Sequence, residues 1–209
     1  MSLTGEMVYL IDDDPAVREG LSELFASHGI EHVAFSSASE YLRFVRTERC
    51  ACLVLDVQMP EISGLDLQRQ LASESSPPII FISGHSDVPS TVRAMKAGAT
   101  EFLTKPVDPQ ALVAAIRAAF IKDLDQRQKA AELFALQRRL ALLTPREREV
   151  LPLVTSGMLN KQAAALLGIT DVTLQVHRGQ IMKKMEANSF ADLVRMAGKL
   201  GISEPNRAL

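Results

Sequence analysis

The chain has 209 residues and a formal net charge of −2, with 47% hydrophobic and 23% charged residues. This composition is typical of a soluble globular protein with one large or two ordinary domains, and it excludes a low-complexity chain. The charge is uneven, since residues 1–110 hold 16 acidic and 8 basic side chains, whereas residues 144–209 hold 6 acidic and 9 basic ones. An acidic N-terminal part and a mildly basic C-terminal part indicate two domains with different partners.

The cysteines and the N-terminal sequence indicate a location inside the cell. Cys50 and Cys52 are too close in sequence for a useful disulfide, and we interpret Cys52 as a small core residue. No charged segment precedes an apolar run at the N-terminus, and no stretch reaches the ~18 apolar residues of a membrane helix. We therefore expect a cytoplasmic protein without membrane contact.

The first 120 residues alternate short apolar runs with helical patterns. Predicted strands occupy residues 7–11, 32–35, 52–55, 79–82 and 100–103. Predicted helices occupy residues 17–27, 39–46, 65–71 and 88–97, and a fifth begins near Pro109. Buried strands without strict alternation, separated by helices, predict a doubly wound α/β domain with a five-stranded parallel sheet. Ligands of such sheets bind at the carboxyl ends of the strands.

A long helix is predicted next, because residues 110–143 contain neither Gly nor Pro. Apolar residues at helical spacing as far as Leu124 should pack on the first domain, and residues 123–129 are polar all round, which indicates a solvent-crossing stretch. A break near residues 125–130 is the alternative to one continuous helix. The predicted division is a first domain at 1–122, a helical linker at 123–139 and a second domain at 140–209.

The last part of the chain is predicted to be all-α, with four short helices. Their expected starts are the capping box Thr144-Pro145-Arg146-Glu147, Asn160 as an N-cap, Thr170 or Asp171, and Ser189. Gly157 and Gly168 should end the first two helices, and the third should run to about Met185. A tight turn between the second and third helices predicts a helix-turn-helix.

Charged side chains follow several of the predicted strands. Asp12 and Asp13 follow the first strand and Asp56 ends the third, and these strands are neighbours in the common doubly wound order. Crowded carboxylates repel one another unless a cation neutralises them, and an oxygen-preferring ion such as Mg²⁺ suits the cluster. Lys105 and Ser83 end two further strands and bring an ammonium and a hydroxyl to the same edge.

These groups together are typical of phosphoryl transfer. A carboxylate attacks phosphorus and becomes an acyl phosphate, while Mg²⁺ and the ammonium offset the charge of the phosphoryl oxygens. The alternative is a set of solvated acids, because single aspartates after strands are common.

Residues 6–120 resemble the receiver domain of two-component response regulators. The matching motifs, in order, are Asp12-Asp13, Asp56-Val57-Gln58-Met59-Pro60 with Gly64, Ser83-Gly84-His85 and Lys105-Pro106. The resemblance implies that Asp56 accepts phosphate from a sensor histidine kinase and that Lys105–Pro106 is cis. It implies a Mg²⁺ site formed by Asp12 (directly or through water), Asp13, Asp56 and the Gln58 backbone carbonyl. It also implies a switch through Ser83 and Phe102, although Phe102 can equally be a simple core residue.

Residues 140–205 resemble the LuxR-type effector domain of the NarL/FixJ regulators. The matching positions are Leu143 to Glu147, Val150-Leu151, Gly157, Asn160-Lys161, Ala164, Leu167, Gly168-Ile169, Thr173, Val176-His177 and Lys184-Met185. The segment Ser83 to Pro89 resembles the FixJ and StyR-like branch. The resemblance implies that the third effector helix lies in the major groove of DNA.

The expected DNA contacts lie mainly on one face of that third helix, near residues 175, 178, 179 and 182. Gln175 is expected to pair with adenine, Val176 to touch a thymine methyl, and Arg178 to reach a guanine or a phosphate. The remaining expected contacts, mostly to the DNA backbone, are Asn160, Lys161, Thr173, His177, Lys183 and Lys184. Two residues depart from the expected pattern: Gly179 replaces a larger residue, and Pro152 should kink the first effector helix.

The two resemblances together imply a phosphorylation-gated transcription factor, not an enzyme. It is expected to act as an activator with RNA polymerase, and to form a homodimer when phosphorylated, through helix four, strand five and helix five. Three alternatives stay open: a constitutive DNA binder with a vestigial receiver, a Mg²⁺-dependent phosphohydrolase, and a signalling adaptor that does not bind DNA.

Overall fold

The computed structural model describes residues 5–46, 48–71, 76–84 and 88–202. The chain forms two compact units, which divide between Arg127 and Gln128, inside the predicted linker. Two hydrophobic clusters lie in the first unit and one in the second. Within the described ranges, none of the helices combines the length and the hydropathy that crossing a bilayer requires.

The N-terminal unit is a doubly wound α/β domain, as predicted. Its strands are β1 (Glu6–Ile11), β2 (His32–Phe35), β3 (Cys50–Asp56), β4 (Ile79–Ser83) and β5 (Glu101–Thr104). Its helices are α1 (Pro15–Ser27), α2 (Ala38–Arg43), α3 (Gly64–Gln70), α4 (Val88–Lys96) and the first part of α5 (Pro109–Ala141). All neighbouring strands are parallel, in the order β2-β1-β3-β4-β5.

Both faces of this sheet are covered by apolar side chains, which explains the continuous apolar runs of the strands. In β1, Tyr9 and Ile11 pack into one hydrophobic layer, and Val8 and Leu10 pack into the layer on the other face. Cys52 in β3 is fully buried, which confirms its interpretation as a core residue. Because apolar layers cover both faces, charged and polar side chains that could react or bind a ligand lie at the ends of the strands.

Helix α5 is continuous over 33 residues, so the alternative of a break near residues 125–130 is wrong. Two expectations about its surface are also wrong: Leu124 is 61% exposed, whereas Asp123 is only 3% exposed. The Asp123 carboxylate accepts hydrogen bonds from the Ala51 backbone N–H at 2.9 Å and from Arg127 Nε at 2.6 Å. These two donors compensate for its burial, so the buried face of α5 extends to Asp123 and Leu124 lies beside it in solvent.

The C-terminal unit is all-α and contains the predicted helix-turn-helix. Its helices are α6 (Pro145–Thr155), α7 (Asn160–Leu167), α8 (Asp171–Met185) and α9 (Phe190–Lys199). Its core also includes Leu136 from α5. The turn between α7 and α8 contains Gly168 at a φ of 65°, a left-handed conformation that glycine adopts without strain. Helix α6 continues through Pro152 to Thr155.

Side-chain caps define most of the helix starts in this unit. The predicted capping box of α6 is confirmed, since Thr144 Oγ1 accepts from the Glu147 N–H and Glu147 accepts from the Thr144 N–H at 2.7 Å. Thr170 and Ser189 cap α8 and α9 as predicted.

The predicted role of Asn160 as an N-cap is wrong. Helix α7 begins at Asn160 itself, and Leu159 occupies the cap position. The Leu159 N–H donates to Gln162 Oε1 at 3.2 Å, so a side chain one turn later satisfies this group. The Asn160 side chain instead accepts a hydrogen bond from Arg178 at 3.4 Å.

The substitution Asp123→Ala should destabilise the N-terminal unit by about 1–3 kcal/mol, because it leaves the buried Ala51 N–H without its acceptor. Urea unfolding followed by tyrosine fluorescence measures this unit alone, since both tyrosines of the chain, Tyr9 and Tyr41, lie in it. Glu31→Ala is the matched control, because it removes an exposed ion pair with Arg49 and should cost no more than about 1 kcal/mol. Equal effects of the two substitutions would contradict an anchoring role for Asp123.

Candidate functional site

Charged side chains from three strand ends meet at the carboxyl edge of the sheet. Asp12 follows β1, Asp56 ends β3, and Lys105 follows β5. The Lys105 Nζ atom lies 2.6 Å from Asp12 Oδ2 and 2.9 Å from Asp56 Oδ2. Asp13 joins them, because carboxylate oxygens of Asp12, Asp13 and Asp56 lie within 4.8 Å of one another. The structure thus brings together four charged side chains that the sequence predicted at this edge.

This pocket holds more negative than positive charge. Asp12 and Asp56 are buried, Lys105 is partly buried, and Asp13 is exposed. Burial raises the pKa of Asp12, and the hydrogen bond from Lys105 opposes that rise. Burial alone would lower the pKa of Lys105, but its hydrogen bonds to Asp12 and Asp56 outweigh burial and raise the pKa. Three carboxylates around one ammonium leave negative charge for a cation to balance, and oxygen ligands are those that Mg²⁺ prefers.

Backbone contacts hold Asp56 in place. The Gly64 N–H donates to the Val57 carbonyl at 3.0 Å, which draws the start of α3 against the end of β3. A Cβ atom at Gly64 would collide with the Asp56 carbonyl oxygen, so this position has no room for a side chain. The Gln58 N–H donates to Asp56 Oδ1 at 3.2 Å, while the Gln58 residue as a whole is exposed.

A peptide bond and a further aspartate lie beside the pocket, and the peptide bond agrees with the sequence expectation. The Lys105–Pro106 peptide is cis. Asp14 lies outside the charged group and caps α1, where its carboxylate accepts from the Ala16 N–H at 2.9 Å.

The two expected switch residues lie on the neighbouring strands β4 and β5. Ser83 is fully buried at the end of β4, and its carbonyl accepts from the Lys105 N–H at 2.8 Å. Phe102 is half-buried, and its ring centroid lies 6.1 Å from that of Phe81. Their role as a switch stays a prediction. His85, Ser86 and Asp87, which complete the motif at Ser83, lie outside the described residues.

In the C-terminal unit, several of the expected DNA-contact residues are accessible. Gln175, Val176 and Lys183 are exposed on α8, and Lys161 is exposed at the start of α7. Thr173 is also exposed, although its N–H donates to the cap residue of α8, Thr170. His177 is half-buried. Their contacts with DNA stay predictions.

Two other expected contact residues are held by partners inside this unit. The Arg178 guanidinium lies 4.0 Å above the centroid of the Phe190 ring and donates to Asn160. Lys184 Nζ lies 2.7 Å and 3.0 Å from the two carboxylate oxygens of the buried Glu147. These contacts favour structural roles, in which Arg178 and Lys184 hold α8 against neighbouring helices.

The outward face of α8 differs from the predicted one. Its core-facing residues are Leu174, Ile181 and Met185. Met182, expected on the DNA face, packs against the hydrophobic core instead. The exposed line opposite the core, at helical spacing, is Val172, Val176, Gly179 and Lys183, with Gln180 exposed beside it. The sequence interpretation missed Val172 and Gln180, although the spacing of the apolar residues 174, 181 and 185 pointed to this face.

A doubly wound domain with this pocket, joined in one chain to a helix-turn-helix domain, defines the class of DNA-binding response regulators. Residues 8–117 match the response regulator receiver domain, and residues 141–197 match the bacterial regulatory proteins of the luxR family. The chain belongs to this two-domain family of response regulators. It is a phosphorylation-dependent regulator of transcription.

Relatives and solved structures match nearly the whole chain. Nodulation protein W of Bradyrhizobium diazoefficiens is 47% identical over 96% of this chain and 88% of its own length. Response regulator protein TodT of Pseudomonas putida is 48% identical over the same shares. The structure of response regulator StyR matches with a TM-score of 0.77 and 46% identity, over 94% of this chain and 100% of that chain. Full-length FixJ of B. japonicum matches with a TM-score of 0.54 and 36% identity, over 95% of this chain and 98% of that chain. The expected FixJ and StyR-like branch is confirmed.

The substitution Gly64→Ala should destabilise the N-terminal unit by about 1–3 kcal/mol, because the added methyl group collides with the Asp56 backbone. It should also slow modification of the pocket by acetyl phosphate, since Asp56 must move. Gly20→Ala is the matched control, because Gly20 lies in α1, away from the pocket, and an added Cβ there meets nothing within 4 Å. Urea unfolding by tyrosine fluorescence compares the two variants, and a Gly64→Ala protein as stable as wild type would show that the close contact is unimportant.

Proposed function

We propose that Asp56 is the phosphoacceptor, that a sensor histidine kinase supplies the phosphoryl group, and that the modification controls promoter binding through α8. The supporting observation is the buried Asp56 carboxylate with Lys105 at 2.9 Å and the carboxylates of Asp12 and Asp13 beside it. A single aspartate at a strand end would not support the same conclusion. Because bacterial promoter DNA lies in the cytoplasm, we place the protein there.

In the proposed transfer, an Asp56 carboxylate oxygen attacks phosphorus, and the bond between phosphorus and the kinase histidine nitrogen breaks. The electron pair of that bond stays on the imidazole nitrogen, and the leaving group is neutral imidazole because its other ring nitrogen carries a proton. The Lys105 ammonium, already between two carboxylates, offsets charge on the phosphoryl oxygens. Asp12, Asp13, Asp56 and the Gln58 carbonyl would hold Mg²⁺, which supplies further stabilisation of this charge.

The family consists of transcription regulators rather than metabolic enzymes, so we propose that the pocket turns over only its own phosphoryl group. The acyl phosphate adds roughly two negative charges and three acceptor oxygens at the end of β3. Ser83 lies buried at the adjacent strand end, where its hydroxyl can turn toward those oxygens. Phe102 is half-buried on the next strand, where its ring can pack further inward. The phosphoryl group shifts the equilibrium because it binds this rearranged conformation better.

The substitution Asp56→Asn should remove phosphorylation-stimulated promoter binding and leave the fold and the basal affinity unchanged, because an amide does not form the acyl phosphate. The protein is treated with acetyl phosphate and Mg²⁺, the adduct is located by mass spectrometry, and promoter affinity is measured before and after treatment. Asp14→Asn is the matched control. It makes the same chemical change at the N-cap of α1, a position where asparagine is also a favourable residue. An adduct on the Asp56→Asn protein, or full stimulation of its DNA binding, contradicts the proposal.

We further propose that phosphorylation produces a homodimer, which binds a two-fold promoter site and acts on RNA polymerase. Helix α4 supports this proposal, because Val88, Val92 and Met95 are exposed apolar residues at helical spacing. Such a row on the surface of a domain favours contact with another protein. The helix also carries Arg93 and Lys96 in its last turn, and a two-fold axis pairs the same patch of both copies.

The substitution Val92→Glu should prevent phosphorylation-dependent dimerisation, because it places a carboxylate in the apolar row of both copies. Light scattering coupled to size-exclusion chromatography, with and without acetyl phosphate, measures the change of mass. Val45→Glu is the control, since Val45 is also an exposed valine but lies outside α4. If Val92→Glu still dimerises on phosphorylation, the α4 row is not the dimer contact.

A further inference from the structure

Gly179 lies at the centre of the outward face of α8, and none of the residues that the structure describes requires a glycine there. A Cβ atom at this position meets no atom within 4 Å, and its φ lies outside the left-handed region. A glycine in a helix interior is less stable than an alanine, because the unfolded chain has more conformations to lose. A reason for glycine at this position must therefore come from a molecule that approaches α8 from outside.

The residues that precede Gly179 along the exposed line of α8 have short apolar side chains, while Gln175 and Gln180 flank this line. Val176 lies one turn before it and Val172 two turns before, and these valines are 59% and 71% exposed. Lys183 lies one turn after Gly179 and is also exposed. The middle of this exposed line therefore projects less than its end at Lys183, and it carries methyl groups between the two flanking glutamines.

We propose that Gly179 is a specificity-determining residue, at which the backbone of α8 itself approaches the base edges in the major groove. The inference rests on the proposed DNA binding by α8. A valine side chain is short, so it reaches the base edges only when the helix lies deep in the groove. A long residue at position 179 would hold the helix away from the bases. The apolar groups available on the floor of the major groove are the thymine 5-methyl groups, so these are the groups that Val172 and Val176 contact.

The test compares Gly179→Ala with Gly198→Ala in the phosphorylated full-length protein. Gly198 lies in α9 of the same unit, and a Cβ there also meets nothing within 4 Å. Both substitutions should raise the thermal midpoint of the C-terminal unit, because alanine restricts the unfolded chain. Only Gly179→Ala should weaken binding, by about tenfold, because its methyl group lies between the helix and the bases. The probe is a duplex that phosphorylated wild-type protein selects from random sequences, and binding is followed by fluorescence anisotropy.

A second measurement examines the valine contacts. Deoxyuridine replaces thymidine in the selected duplex, which removes the methyl groups and leaves base pairing intact. Wild-type protein should lose affinity by several-fold, whereas Gly179→Ala should discriminate less between the two duplexes, because its helix lies further from the groove floor. The salt dependence of binding should be the same in both proteins, since no phosphate contact changes.

The outcomes separate this inference from the function on which it rests. If Gln175→Ala and Lys183→Ala leave affinity for the selected duplex unchanged, α8 is not the DNA-reading helix and the proposed function fails at that point. If these two variants bind weakly while Gly179→Ala binds as wild type does, α8 reads DNA and the close approach at Gly179 is wrong. Equal wild-type affinity for the thymidine and deoxyuridine duplexes would overturn the valine contacts.

Discussion

The Lys105 ammonium holds two buried carboxylates side by side, and the chemistry of the N-terminal unit depends on this contact. Asp12 and Asp56 would repel each other at the end of neighbouring strands if no cation lay between them. Lys105 comes from a third strand end and lies 2.6 Å from one carboxylate and 2.9 Å from the other. A phosphoryl group on Asp56 brings new oxygens that compete with Asp12 for the same ammonium. The contact that stabilises the unmodified pocket is therefore also the one that the proposed modification disturbs most directly.

The strand that carries Asp56 is fixed at both of its ends. At the carboxyl end, Gly64 allows α3 to begin directly against the Asp56 carbonyl. At the opposite end, the buried Asp123 carboxylate accepts from the Ala51 N–H and so attaches α5 to the start of β3. Between these ends, β3 is buried between two apolar layers. A strand held in this way changes little in its middle, so a change at Asp56 acts on the adjacent strand ends, where Ser83 and Lys105 lie.

The sequence predicted the sheet and the pocket because both follow from local patterns. Buried apolar runs identified the central strands β1, β3 and β4, shorter apolar patterns identified β2 and β5, and parallel pairing then brought Asp12, Asp56 and Lys105 to one edge. The sequence interpretation missed the burial of Asp123. Its carboxylate accepts a hydrogen bond from the backbone N–H of a residue 72 positions away, and the sequence does not show which backbone N–H groups need a side-chain acceptor. Asn160 was misassigned as a cap for a related reason. The cap position one residue earlier is served by Gln162, and the Asn160 oxygen accepts from Arg178 on another helix.

The basic side chains of the C-terminal unit show why charge alone does not identify a DNA-binding surface. Residues 144–209 carry only a small excess of basic over acidic groups. Two of these basic groups have partners inside the unit: Lys184 is paired with the buried Glu147, and Arg178 is stacked on Phe190. Both cations therefore stabilise the fold before any DNA is present, and fewer remain to contact phosphates. Because phosphate contacts supply affinity without sequence information, a unit with few of them must obtain more of its binding energy from fit to the bases. The proposed close approach of α8 at Gly179 would provide such a fit, since it would replace the reach of long cationic residues.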